Sequence, residues 1–266
     1  MGQSLSRPAS ADGRGCHLRL SVNGLIAGDL AAAARFLPRA WRAAWAVLTL
    51  GVVTLALAFS LRGPGLWIAA LAASLVARGA LWRLASGRGR PGPGGLQLGD
   101  MEARLAGVWI LAGLFLGIIA LLALVVLLCG AYAVASAGRG FDPAQIATWA
   151  PAITRRGRLV LGAIGVFCAI GFVYAAARIS LAEAATAGRS KLQVLSSFAL
   201  TRGGALPLAI AHILLAAPVI GLLAWGASRG YRGAWAVAEG FAIGGLWLPM
   251  SVGLMAYAYD LCARQT

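Results

Sequence analysis

A chain of 266 residues that is 60% hydrophobic and only 12% charged carries about half the charge of an ordinary soluble domain, which excludes a simple water-soluble globule. Several apolar runs approach the length of about twenty residues that spans a hydrocarbon core. The formal charge of +15, from 23 Lys plus Arg against 8 Asp plus Glu, would suggest nucleic acid in a soluble protein. Here the cations gather at the ends of the apolar runs, so a bilayer with anionic headgroups accounts for them and no nucleic acid is expected.

Residues 1–20 are polar, with Arg7, Arg14 and Arg19, and are expected to be disordered. Ser21 or Asn23 suits the cap of an amphipathic helix reaching to about Phe36. Its apolar stripe is Leu25, Ile26, Leu30 and Ala33, with Asp29 and Arg35 on the wetter side. Pro38 suits the first turn of a new helix, followed by a first span at 41–61 with Trp41 and Trp45 at headgroup level. Arg62, Gly63, Pro64 and Gly65 turn tightly into a second span at 66–84. Residues 21–85 thus read as an amphipathic helix plus a transmembrane hairpin. Segment 86–99, rich in Gly and Pro, reads as a flexible linker to a four-span helical domain at 100–266.

Asp100 is expected to cap the third span, and Glu102 to offset the helix dipole in its first turn. At 105–135 this span is about 45 Å long against a hydrocarbon core of about 30 Å, so it must tilt, kink or project. Asp142 and Pro143 begin a brief interfacial helix at 143–149, before Arg155, Arg156 and Arg158 and a fourth span at 159–177. Segment 178–203 sets Arg178, Arg189, Lys191 and Arg202 among Leu192, Leu195 and Ala199 at helical spacing. That is the pattern of a surface helix near 186–202, with its cations among lipid headgroups. A fifth span at 205–227 contains Pro207 and Pro218, and a sixth runs at 235–259.

The expected fold is therefore all-α: a polytopic transmembrane bundle of about six spans with two amphipathic interfacial helices. Lys and Arg are in excess on the side that carries both termini and segment 178–203, which places that side in the cytoplasm. The basic run at 155–158 opposes this locally. Lys191 is the sole lysine; that bias, with abundant Ala and Gly, points to a bacterial genome and an inner-membrane location.

Chemistry is sparse. Cys16, Cys129, Cys168 and Cys262 stand far apart without a C-x-x-C pair, so no metal or redox motif is read. No nucleophile elbow, P-loop, H-E-x-x-H or paired-carboxylate spacing is present, so neither an enzyme nor a cofactor is expected. The opening residues match the myristoylation pattern through Gly2 and Ser6, a eukaryotic modification at odds with the bacterial composition. No cleavable signal peptide is expected, because the first long apolar run begins after forty polar or amphipathic residues.

Charged groups inside apolar spans are the default functional candidates. Arg78 lies about two turns from the end of its span, within reach of the headgroups by snorkelling. Glu239 lies near Arg229 and Arg232, which offers an interfacial ion pair, or else a proton- or cation-linked role facing the interior. His212 sits between Pro207 and Pro218, where it can donate to a carbonyl that a proline frees, or serve as a ligand or proton relay in a broken helix. The G-x-x-x-G pairs at Gly113 and Gly117, Gly226 and Gly230, and Gly240 and Gly244 permit close helix packing, within one chain or in a homo-oligomer.

Two stretches resemble a known bacterial pattern. Arg178, Leu181, Ala182 and Ala185, followed by Ser197, Phe198, Leu200, Thr201, Arg202 and Gly203, are similar to the YciC-like proteins. They are also similar to the membrane domain fused to some glycerophosphodiester phosphodiesterases. Phe198 stands where those families usually have Trp, and Ala184 or Ala185 where Pro is common. Residues 21–44 look like the family's amphipathic first helix. Roughly a quarter of the chain carries the likeness. The resemblance implies a six-helix inner-membrane module without a known activity, since the phosphodiesterase chemistry belongs to a separate acidic soluble domain. Three functions remain open: a non-enzymatic module that binds lipid or a membrane-protein partner through 178–203, an accessory subunit of a larger membrane complex, and a transporter-like component with a polar pathway near the fifth span.

Overall fold

The computed structural model describes residues 22–87, 92–138, 140–189, 205–228 and 233–263. The described backbone is helical, with no strand. The helices are α1 (Val22–Leu61), α2 (Pro64–Ser86), α3 (Asp100–Ala135), α4 (Trp149–Ala152), α5 (Arg155–Ser180), α6 (Ala182–Arg189), α7 (Ala205–Ser228), α8 (Ala234–Gly240) and α9 (Leu248–Ala263). A π-helical segment, Phe241–Trp247, joins α8 to α9. Among the described residues, six helical stretches are long and apolar enough to cross a membrane.

Two compact units make up the chain: Met1–Val108 with Ala177–Thr266, and Trp109–Ala176. The division runs through α3 and α5 rather than through the Gly/Pro-rich segment 86–99, because the first hairpin packs with the last spans. In the larger unit, Ala33, Phe36, Ala40, Ala44 and Val47 form one buried stripe along α1 at helical spacing. The last span lies antiparallel to that stripe. Gly28 rests against Tyr257, Phe36 against Gly253, Trp41 against Gly245, and Ala56 against Gly240. Glycine lets these backbones approach, and a Cβ at residue 240 would fall 2.6 Å from the Val52 carbonyl oxygen.

Three expectations are corrected here. The amphipathic helix and the first span are continuous through Pro38, and the break comes later, at Ala44 (φ −130°, ψ 27°). That break lies where a 3-10 turn at Pro93–Gly95 packs onto α1. Gly94 and Gly95 adopt φ of 62° and 84° there, and would drive a Cβ into Ala46 and Val47. Part of the expected flexible linker is thus an ordered plug. Asp29, expected on the wetter side, is only 4% exposed, because its helix packs beneath α9 instead of lying on a surface; Arg35 is exposed. Trp41 donates its indole N–H to the Gly245 carbonyl at 2.8 Å. Pro249 removes the helical donor that carbonyl would otherwise have, so an indole from α1 satisfies it.

In the smaller unit α3 and α5 lie side by side, Gly130 facing Leu161 and Ile164. The brief helix expected at 143–149 is displaced: a 3-10 turn at Ile146–Thr148 leads into α4. Asp142 builds this turn, accepting from the Ala144 N–H at 2.9 Å and, through its carbonyl, from the Trp149 indole at 3.2 Å.

Candidate functional site

In the larger unit, α2, α6, α7 and the π segment bring together a charged cluster. Arg78 on α2 donates from Nη1 to both carboxylate oxygens of Glu183 on α6, at 2.7 and 2.6 Å. Trp82, one turn further along α2, donates its indole N–H to the same carboxylate at 3.1 Å. Both charged side chains are nearly buried, 11% and 12% exposed. The guanidinium also lies 5.8 Å from the centre of the Trp247 ring, within cation–π range. His212 on α7 is close enough for the charges of Arg78 and Glu183 to act on its ring. Its Nδ1 lies 3.0 Å from the Leu208 carbonyl oxygen, and because a carbonyl only accepts, Nδ1 carries the hydrogen.

These contacts correct two expectations. Arg78 does not snorkel to a headgroup: an acidic partner lies within the fold, and a buried charge is retained where a partner neutralises it. The acceptor for His212 is the ordinary carbonyl one turn back, not one freed by a proline; Pro207 lies in the first turn of α7, and Pro218 removes the helical donor of the Leu214 carbonyl.

The central segment is corrected as well. Leu181, Ala182, Ala184, Ala185, Thr186 and Ala187 are each at most 1% exposed, and Gly188 lies against Tyr259. The start of the expected surface helix is therefore interior. It is made of small residues because it fits between neighbours, and it delivers Glu183 to Arg78. Arg178 is half-buried near the end of α5. The side chain of Arg189, with Lys191, Arg202 and the rest of 190–204, lies outside the described residues.

Sequence reasoning missed a second pair. Arg83 Nη2 contacts both oxygens of Glu102, at 2.6 and 2.5 Å, with the two side chains 8% and 3% exposed. Gly79 leaves the space that the Glu102 carboxylate fills. Glu102 therefore anchors α3 to α2, beyond the dipole role its position suggested. The available signal was the two carboxylates, Glu102 and Glu183, set in sequence flanked by apolar spans that contain Arg.

Glu239, on α8, stands apart: Gly226, the α7 residue it packs against, is about 21 Å along that helix from His212 by helical rise. Its side chain is 0% exposed and fills the space left by Gly226. Neither carboxylate oxygen has a hydrogen-bond partner among the described residues. The expected partners Arg229 and Arg232 lie outside them. No group of three His, Cys, Asp or Glu side chains suited to a metal comes together among the described residues.

Beside the cluster is an apolar groove of about 530 Å³. Leu214, Pro218 and Leu222 of α7 form one wall, Leu246 and Trp247 of the π segment the other, and Leu30 of α1 adds to one end. Trp247 belongs both to this wall and to the charged cluster. No family model, curated protein or solved structure matches the chain.

Proposed function

We propose that this is a non-enzymatic, multi-pass protein of the bacterial inner membrane, with both termini in the cytoplasm, that acts as a lipid-binding module; its likeness to YciC-like proteins implies the six-helix architecture and no activity. The observation that carries this reading is the division of labour among its polar groups. Arg78 and Arg83 are taken up in ion pairs inside the fold, while the open space beside them is apolar. The cations of 178–203 then serve anionic headgroups, each worth about 1 kcal/mol near such a surface.

The transporter-like alternative needs a polar pathway beside His212 and Glu239. It is less well supported: His212 is tied to a backbone carbonyl, Glu239 is fully buried, and the groove along α7 is apolar. The test replaces Arg189, Lys191 and Arg202 together with Gln. Enrichment of anionic phospholipid around the purified protein, read by native mass spectrometry, is expected to fall by at least about tenfold, with insertion unchanged. Equal enrichment would overturn the reading.

A further inference from the structure

We propose that the groove beside Pro218 is a specific site for one acyl chain of a membrane phospholipid, held with its ester end toward the cluster of Arg78, Glu183 and His212. The proposal rests on the lipid-binding reading and adds to it a place, a ligand class and an orientation.

The groove arises where two irregular helices face each other. Pro218 interrupts the hydrogen-bond ladder of α7. Opposite it, the last span passes through seven residues of π-helix at Phe241–Trp247, a wider turn that recurs at functional sites. The walls come from these two stretches, so the space follows from local geometry that the sequence encodes on both sides.

The chemistry of the wall selects the occupant. Among the described residues that line the groove, Trp247 has the only nitrogen-bearing side chain, and the others are hydrocarbon or thioether. A stably held water needs two to four polar partners, which this wall does not supply. The volume, about 530 Å³, falls within the range of about 300–1,000 Å³ typical of small-ligand sites. Both flanking helices are long and apolar enough to span a bilayer, so hydrocarbon chains surround the groove's open side. A lipid chain is the apolar ligand available at that depth.

Orientation follows from the antiparallel run of the two helices. Gly226 lies against Glu239, so the helices run antiparallel: Leu214, the earlier lining residue of α7, falls with Trp247 and Met250 at one end, and Leu222 with Ala242 at the other. The first end adjoins the Arg78 guanidinium, which lies over the Trp247 ring; the second is lined by apolar side chains. From Leu214 to Leu222 the groove is about 12 Å long by helical rise, room for the ester-proximal part of a chain whose remainder lies in the bilayer.

The test uses the full chain in vesicles of phosphatidylethanolamine and phosphatidylglycerol, with a phosphatidylglycerol bearing a photoactivatable diazirine near the ester end of one acyl chain. Cross-links mapped by mass spectrometry are expected at 214–222 and 242–250, in at least about tenfold excess over the exposed α3 residues Ile118, Leu121 and Leu122. Excess unlabelled phospholipid should compete them away. Leu222→Trp and Ala242→Trp, which fill the groove, should each abolish this excess while α3 labelling persists as a control for insertion. Equal, uncompeted labelling of groove and α3 would overturn the site but leave the lipid-binding reading standing. Absence of labelling anywhere would overturn both. A cross-link from the groove to another polypeptide would replace the acyl chain with a protein partner and overturn the site. Should either Trp variant fail to fold, the wild-type excess and its competition still decide.

Discussion

Gly240 and Gly244 on the last span, and Gly113 and Gly117 on α3, carry the same small-residue spacing in opposite surroundings. In the first pair both positions face the α1 backbone at Val52; in the second, an added Cβ would meet nothing within 4 Å. The contrast extends to the units that contain them. In the most apolar window of α3 no residue is buried within the protein, and in that of the α5 stretch only 6% are, against 39% in the first span and 56% in the last. The α3–α5 unit presents Ile110, Leu114, Leu121 and Phe167 outward, whereas the larger unit turns glycines, paired charges and a short buried helix inward. Hydropathy measures how well a helix tolerates lipid. Small residues and partnered charges report how much protein surrounds it.

The largest test of this contrast concerns charge. Arg83→Ala leaves Glu102 buried without its cation and is expected to destabilise the protein by about 3–5 kcal/mol, as breaking a buried pair does. The exposed Arg155 of the other unit, changed to Ala, should cost about 0–1 kcal/mol at most. Chemical denaturation in mixed micelles, followed by tryptophan fluorescence, compares them directly; equal effects would break the distinction.

Steric room gives the next test. Gly240→Ala should cost about 1–3 kcal/mol, because its Cβ meets the backbone at Val52. Gly117→Ala should stay within about 0.5 kcal/mol. A comparable loss at Gly117 in the same denaturation assay would mean that a partner helix covers α3.

The smallest effect separates two indoles on one helix. Trp41→Phe removes the donor to the Gly245 carbonyl and should cost about 0.5–1.5 kcal/mol. Trp45, 59% exposed, should tolerate the same change. Thermal unfolding of the two variants side by side reads the difference, and equal midpoints would remove the role assigned to that bond.

Much of the fold was legible because apolar run length and turn chemistry act locally. The Gly63–Pro64 turn, the start of α3 near Asp100 and the α7 boundaries agree with what the sequence predicts. The candidate site was legible only in part. Arg78 and His212 stood out as polar residues in apolar runs, and the structure gathers both around Glu183, which had drawn no attention. A carboxylate in a short Ala-rich segment looks the same on paper whether it faces headgroups or a guanidinium 105 residues away in the chain.

What the sequence determined by itself was the helices and their apolar character: composition, run length and breakers act over at most a few turns, and they specify apolar helices of a given length. Which helices bury one another was decided by the tertiary structure. It depends on side chains far apart in sequence fitting the same space, Gly245 beneath Trp41, Gly226 beneath Glu239, Glu183 against Arg78. Those fits turn on distances of a few tenths of an ångström between distant segments, to which periodicity and hydropathy are blind.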